Sequence, residues 1–142
     1  MAPPNPPPMH LLIIEDDPFH VGQLRTMAAD TRSTSVRVSH CRLAADALSF
    51  LAKQACDVVL LDLGVGDLGG PEGVARLHEA APRVPIVVQG RSELEALEAV
   101  GSRFGAYYHL VKGHLSADEL MRTLMLAIKR RRMEDQLRRK AD

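Results

Sequence analysis

Short apolar runs alternate with amphipathic segments along the whole chain, and the alternation predicts five strands and five helices. Residues 10–15 form a continuous apolar run fit for a strand buried on both faces. Pro18 suits the first turn of a helix reaching about Ala29, with Asp17 as N-cap. Residues 35–41 alternate in strand fashion, and Leu43 to Ala55 places Leu43, Ala47, Leu48 and Leu51 on one helical face. Asp57 to Leu63 is the most apolar run and predicts a central strand. A glycine-rich loop follows, and Pro71 opens a helix to about Ala81. Pro85 to Gln89 predicts the fourth strand, and Ser92 caps a helix to roughly Ser102. Ala106 to Val111 is the fifth strand. Ser116-Ala-Asp-Glu then forms a capping box ahead of a long helix whose Leu120, Leu124, Ala127 and Ile128 face the sheet. Strands and helices in this alternation define an α/β, doubly wound parallel sheet, with ligands expected beyond the carboxyl ends of the strands.

The residues at those ends carry the chemistry. The first strand runs into Glu15-Asp16-Asp17, the third into Asp62, the fourth into Gln89-Gly90 and the fifth into Lys112. Glu15, Asp16 and Asp62 brought together carry three negative charges, which raise one another's pKa unless compensated. One Mg²⁺ and Lys112 balance them, and Mg²⁺ takes carboxylates, waters and phosphate oxygens as ligands. A carboxylate on a central strand beside that cation is placed to attack phosphorus and form an aspartyl phosphate, with Lys112 as a point charge on a phosphoryl oxygen.

Composition narrows the setting. The 142 residues suffice for one domain with a sizeable core, and no run approaches membrane-spanning length. Residues 1–8 read as a disordered or polyproline II leader, with a proline-rich ligand as the second reading, and lack the basic start and apolar stretch of a signal peptide. Cys41 and Cys56 have no metal-ligand spacing and read as reduced thiols of a cytoplasmic protein. Net charge is zero, yet residues 129–140 hold seven basic side chains against Glu134 and Asp135, an excess of five. That stretch is expected to be a solvated helix face, and neither nucleic acid nor a membrane is an expected partner.

Four motifs in order, Glu15-Asp16-Asp17-Pro18 after an apolar strand, Val58-Val-Leu-Leu-Asp62-Leu-Gly, Val84-Pro-Ile-Val-Val and Gly105-Ala-Tyr-Tyr-His-Leu-Val-Lys112, resemble the response-regulator receiver domains of two-component signalling. The resemblance covers roughly residues 9–131, leaving 132–142 as a basic helical extension. It implies a flavodoxin-like strand order 2-1-3-4-5, Asp62 as phosphoacceptor and Lys112 as the catalytic lysine. It also implies a Mg²⁺ site made of Glu15 (through water), Asp16, Asp62 and the Gly64 carbonyl. A histidine kinase or phosphotransfer protein is the implied partner, in a phosphoacceptor rather than a classical enzyme. A homodimer through the fourth helix, fifth strand and fifth helix is the further implied contact. Val111-Lys112-Gly113 and Ala127-Ile-Lys-Arg-Arg131 are similar to receivers that precede sensory, diguanylate-cyclase or kinase modules. The chain therefore reads as a stand-alone regulator or the front of a longer protein. Met133 and Leu137, four apart, predict that the last helix continues as a lever or short coiled coil.

Two positions depart from the family. Where receivers carry Thr or Ser at the end of the fourth strand, this chain has Gly90, or Gln89 if the register slips by one. Three residues before the lysine, where Tyr or Phe is usual, it has His109. With these switch positions phosphoryl transfer is expected to remain possible, whereas the family's usual conformational readout is not assured. His109 is expected to be a partly exposed structural residue, with a titrating switch or second phosphoryl acceptor as the sharper reading. Ser92 is expected to cap a helix or to influence water at the acyl phosphate. Asp67 reads as a loop carboxylate that either stays solvated or reaches the site. Tyr107 and Tyr108 suit core or interface. A haloacid-dehalogenase-type phosphatase needs a second acid where Gly64 stands, and a flavodoxin-like electron carrier needs an anion-accepting loop where Glu15-Asp16-Asp17 stands. The remaining alternative is a pseudo-receiver acting as a phosphorylation-independent interaction module.

Overall fold

The computed structural model describes residues 8–30, 35–101 and 104–141; the leader expected over residues 1–8 therefore lies, save for Pro8, outside them. The elements run β1 (Met9–Ile14), α1 (Pro18–Ala29), β2 (Val36–Cys41), α2 (Ala44–Lys53), β3 (Val58–Asp62), α3 (Pro71–Ala80), β4 (Ile86–Gly90), α4 (Glu93–Glu98), β5 (Ala106–Val111) and α5 (Ala117–Ala141). The strands form one parallel sheet in the order β2-β1-β3-β4-β5. β3 is thus central, as its apolarity predicts, and every one of its residues is buried.

Alternate side chains of the strands feed two cores. Leu12, Ile14, Val59, Leu61, Ile86 and Val88 pack with Ala47, Val74 and Leu77 of α2 and α3. Leu11, Ile13, Val58, Leu60, Val87 and Leu110 pack on the other face with Leu24 of α1 and with Leu120, Leu124, Ala127 and Ile128 of α5. The period of two along each strand does this sorting. It also decides which residues face α1 and α5 at the strand ends, namely Glu15, Asp62, Gln89 and Lys112.

Local signals set most boundaries. The Asp17 carboxylate accepts from the Phe19 N–H at 3.0 Å, and Pro18 occupies the first turn. Ser116 Oγ accepts from the Glu119 N–H at 3.1 Å, the serine half of the expected capping box. Two expectations need correction. Leu43 does not belong to the buried face of α2: it is the N-cap and is exposed, and Ala44 is buried instead. α4 stops at Glu98, well short of Ser102, a residue outside those described. Its apolar pattern continues, but the Gly101 N–H is pulled into a bridge with the Ala106 carbonyl at φ +141°, a backbone no helix can hold. The turn into β5 overrides the periodicity.

α5 is one 25-residue helix that carries the basic stretch to Ala141. Part of that charge is spent within the helix: Arg130 pairs with Glu134, and Arg131 with Glu134 and Asp135. The Arg130 guanidinium also lies 3.8 Å from the centroid of the Tyr107 ring. No helix among the described residues is long and apolar enough to cross a membrane.

Candidate functional site

Beyond the ends of β1, β3 and β5 the chain builds a buried charge cluster. Lys112 Nζ donates to Asp62 Oδ2 at 2.9 Å and to Glu15 Oε1 at 3.2 Å. Glu15 and Asp62 are almost wholly buried, whereas Asp16 is exposed at the rim. Carboxylate oxygens of Glu15, Asp16 and Asp62 all lie within 4.8 Å of one another. The backbone holds this geometry: the Lys112 N–H donates to the Gly90 carbonyl at 2.9 Å, and the Leu63 N–H to the Gln89 carbonyl at 2.9 Å. His40 Nε2, on the neighbouring β2, bonds the Glu15 carbonyl at 2.7 Å.

Crowded acids in a dry place divide their protons unequally. Burial and the adjacent Asp62 push Glu15 up to about 8, against the pull of Lys112. Asp62 suffers the same burial, but hydrogen bonds from Glu15, Lys112 and the Gly64 N–H outweigh it and hold the carboxyl below its ordinary value. Burial likewise opposes the Lys112 ammonium, and the two carboxylates overcome it and raise the lysine. Near neutral pH and without metal, Glu15 is therefore protonated, Asp62 ionised and Lys112 charged, so these three groups carry no net charge between them. Glu15 Oε2 is buried with no donor to accept from among the described residues, so a proton or a cation belongs there. The donor set is all oxygen, and it fits Mg²⁺.

The sequence-derived candidates fall out as follows. Glu15, Asp16, Asp62 and Lys112 meet, as their positions after the strands predict. Gly64 is beside them, with its N–H donating to Asp62 Oδ1 at 3.2 Å. Gln89, not Gly90, is paired with Asp62 across the β3–β4 ladder, while Gly90 pairs with Val111. A β-carbon on Gly90 would stand 2.9 Å from the Ala96 nitrogen, so α4 occupies the room a larger side chain would need. His109 bonds Glu93 Oε1 at 2.6 Å through Nε2, tying β5 to the first turn of α4. Ser92 is the helix cap, accepting from the Glu95 N–H at 3.2 Å. Asp67 does not reach the site; it is the expected exposed loop carboxylate, and its two oxygens accept from the Ala44 and Ala45 N–H groups at 2.8 and 3.0 Å, capping α2 from the β3–α3 loop and lowering its own pKa. Burial pushes the Cys56 thiol up to about 11 and raises Cys41 as well, as inert structural thiols require.

Two neighbours of the site escaped the sequence reading. His40 lies in the edge strand, where no spacing marks it. His20 lies in the first turn of α1, buried, with Nε2 3.0 Å from Gln89 Oε1. Its position four residues after Asp16, one helical turn into α1, was the available signal.

The site is thus three acids and a lysine gathered at the carboxyl edge of a doubly wound α/β sheet. Residues 11–125 match the family model of the response regulator receiver domain, and the chain belongs to that family. It is similar to the transcriptional regulatory protein GlrR of Escherichia coli K12, at 27% identity over 81 residues, 57% of this chain and 18% of that protein. The match thus spans under a fifth of that relative's length. Among solved structures, the signal receiver domain of an HD domain-containing protein from Pseudomonas fluorescens Pf-5 is similar, with TM-score 0.74 and 19% identity, covering 89% of this chain and 99% of that one. The receiver domain of the sensor histidine kinase PA1611 from Pseudomonas aeruginosa PAO1, with a magnesium ion coordinated in its active-site cleft, matches at TM-score 0.72 and 24% identity. That match covers 87% of this chain and 99% of that domain.

Proposed function

We propose that Asp62 accepts a phosphoryl group from the phosphohistidine of a histidine kinase or phosphotransfer protein in the cytoplasm. An Asp62 carboxylate oxygen attacks phosphorus; the new P–O bond forms as the P–N bond breaks, and the imidazole leaves with its electron pair and takes a proton from solvent. The contact that carries this reading is Lys112 Nζ at 2.9 Å from Asp62 Oδ2, beside two further acids. Lys112 keeps Asp62 ionised, hence nucleophilic, and supplies positive charge for a phosphoryl oxygen during transfer. Glu15, Asp16 and Asp62 would hold Mg²⁺, with the Gly64 carbonyl as a further ligand, and the bound ion offsets charge on the transferring group. Buried Glu15 must give up its proton for this, so the ion's site is paid for by deprotonation.

Incubation with acetyl phosphate and Mg²⁺ tests the reading by intact mass. The chain should gain the mass of one phosphoryl group, and Asp62→Asn should not. Absence of Asp62-dependent modification, also with a competent kinase, would leave the pseudo-receiver reading. That second reading is favoured by one observation, the packing of Ala96 over Gly90, which denies the fourth strand a hydroxyl.

A further inference from the structure

We propose that Gln89 replaces the missing hydroxyl: its side-chain amide donates a hydrogen bond to a phosphoryl oxygen on Asp62, with His20 as the positioning residue. The inference rests on the phosphoacceptor reading and names the group that completes that site in this chain.

Register comes first. Gln89 is the β4 partner of Asp62 in the parallel ladder, and paired residues of adjacent parallel strands send their side chains to the same face. That face holds Val87 below and Lys112 and Glu15 alongside, the face that α1 and α5 cover. Gln89 is 1% exposed. A polar amide in the row where the preceding residue is a core valine is costly unless both of its ends are satisfied.

Only one end is. Gln89 Oε1 is 3.0 Å from His20 Nε2, and Nε2 of the same amide is buried without a partner among the described residues. Turning the amide over would give His20 the nitrogen and strand the oxygen instead, so one polar atom remains unpaired in either setting. The tautomer with a proton on His20 Nε2 fixes Oε1 as the acceptor and leaves the N–H₂ as the free donor. His20 Nδ1 then accepts, and the exposed Gln23 amide 3.4 Å away can turn its nitrogen to it. A phosphoryl group is acceptor-only. Bound to Asp62, it brings acceptor oxygens to the strand position beside an unused buried donor.

The glycine next in line explains why the task moves by one residue. A side chain at Gly90 would meet the Ala96 backbone, so a hydroxyl cannot be carried there while α4 keeps its place. Gln89 projects from the opposite face of β4, on the side of its ladder partner Asp62.

The test compares wild type with Gln89→Met, which keeps length and volume, and Gln89→Glu, which keeps shape but removes the donor and adds charge. The full chain is incubated with acetyl phosphate and Mg²⁺, and the rate of phosphoryl gain on Asp62 is followed by intact mass beside a thermal melt without phosphodonor. Loss of a hydrogen bond to a charged oxygen predicts a rate about tenfold to a hundredfold lower for Gln89→Met, and lower again for Gln89→Glu. The Gln89→Met melt should stay level or rise, because the unpaired amide is gone; a merely structural His20–Gln89 bond predicts a lower melt with an unchanged rate. His20→Asn, which keeps a donor, should retain more of the rate than His20→Leu. Wild-type rates in both Gln89 variants, with wild type modified normally, would overturn the Gln89 assignment and leave Asp62 standing. No modification of wild type would overturn both.

Discussion

Gly90 and Ala96 are in such close approach that a β-carbon on the glycine would stand 2.9 Å from the alanine nitrogen and 3.2 Å from its α-carbon. The end of β4 and the short α4 are therefore packed backbone to backbone, at the position where the family usually carries Thr or Ser. Gly90→Thr should not restore such a switch in place. It should destabilise the fold by about 1–3 kcal/mol through overpacking, seen in urea unfolding, and should speed amide exchange in residues 93–98 as α4 is displaced. Wild-type stability and exchange would show that α4 yields freely.

The proton held by Glu15 makes metal-free stability depend on pH. Its folded value, about 8, exceeds the ordinary 4.5, so between these limits the folded chain keeps a proton that the unfolded chain has lost. Stability from this group is full below about 4.5 and is lost as pH rises through 8, with a slope of at most about 1.4 kcal/mol per pH unit. Asp62 works the other way: its folded value is depressed, so its contribution is present above 3.8 and fades on acidification. In chelator, Glu15→Gln should flatten the decline between pH 5 and 8 (roughly the window set by one displaced proton). An unchanged slope would assign the titration elsewhere.

Lys112→Met strands the ionised Asp62 in a buried site. A cost of about 1–3 kcal/mol is expected for the uncompensated charge. Asp62→Asn in the same chain should return most of it, since the penalty belongs to the orphaned carboxylate and not to lost lysine packing. Denaturant unfolding of the two single variants and the double variant measures this. Additive losses would place the lysine's contribution elsewhere.

His109 and Glu93 meet at 2.6 Å on a partly exposed surface, the histidine side chain 26% and the glutamate 63% exposed. Solvent screening limits such a pair, and a double-mutant cycle with His109→Phe and Glu93→Gln should return a coupling of about 0.2–1 kcal/mol that shrinks in high salt. The pair fixes α4 against β5 at the position where the family usually has an aromatic ring. A coupling that is zero at low salt would mean the contact does not restrain α4.

The acids and lysine were legible before folding because each follows an apolar strand, and parallel strands must end together at one edge. The sheet and the starts of α1, α3, α4 and α5 were legible for a similar reason, since caps and prolines act within a turn of where they stand. Asp67 was not: nothing local says that a loop carboxylate will cap α2, an element more than twenty residues earlier. The length of α4 was not legible either, because a long-range bridge from Gly101 to Ala106 overrules its periodicity.

Hydrophobic period alone thus determined the layers, the strand ends and the charges that gather there. Which of Gln89 and Gly90 stands beside Asp62, how close α4 lies over β4, and that His20 reaches the buried amide were decided only by the packed molecule. Those are distances between segments far apart in the chain, and register and helix placement fix them through contacts that no local pattern encodes.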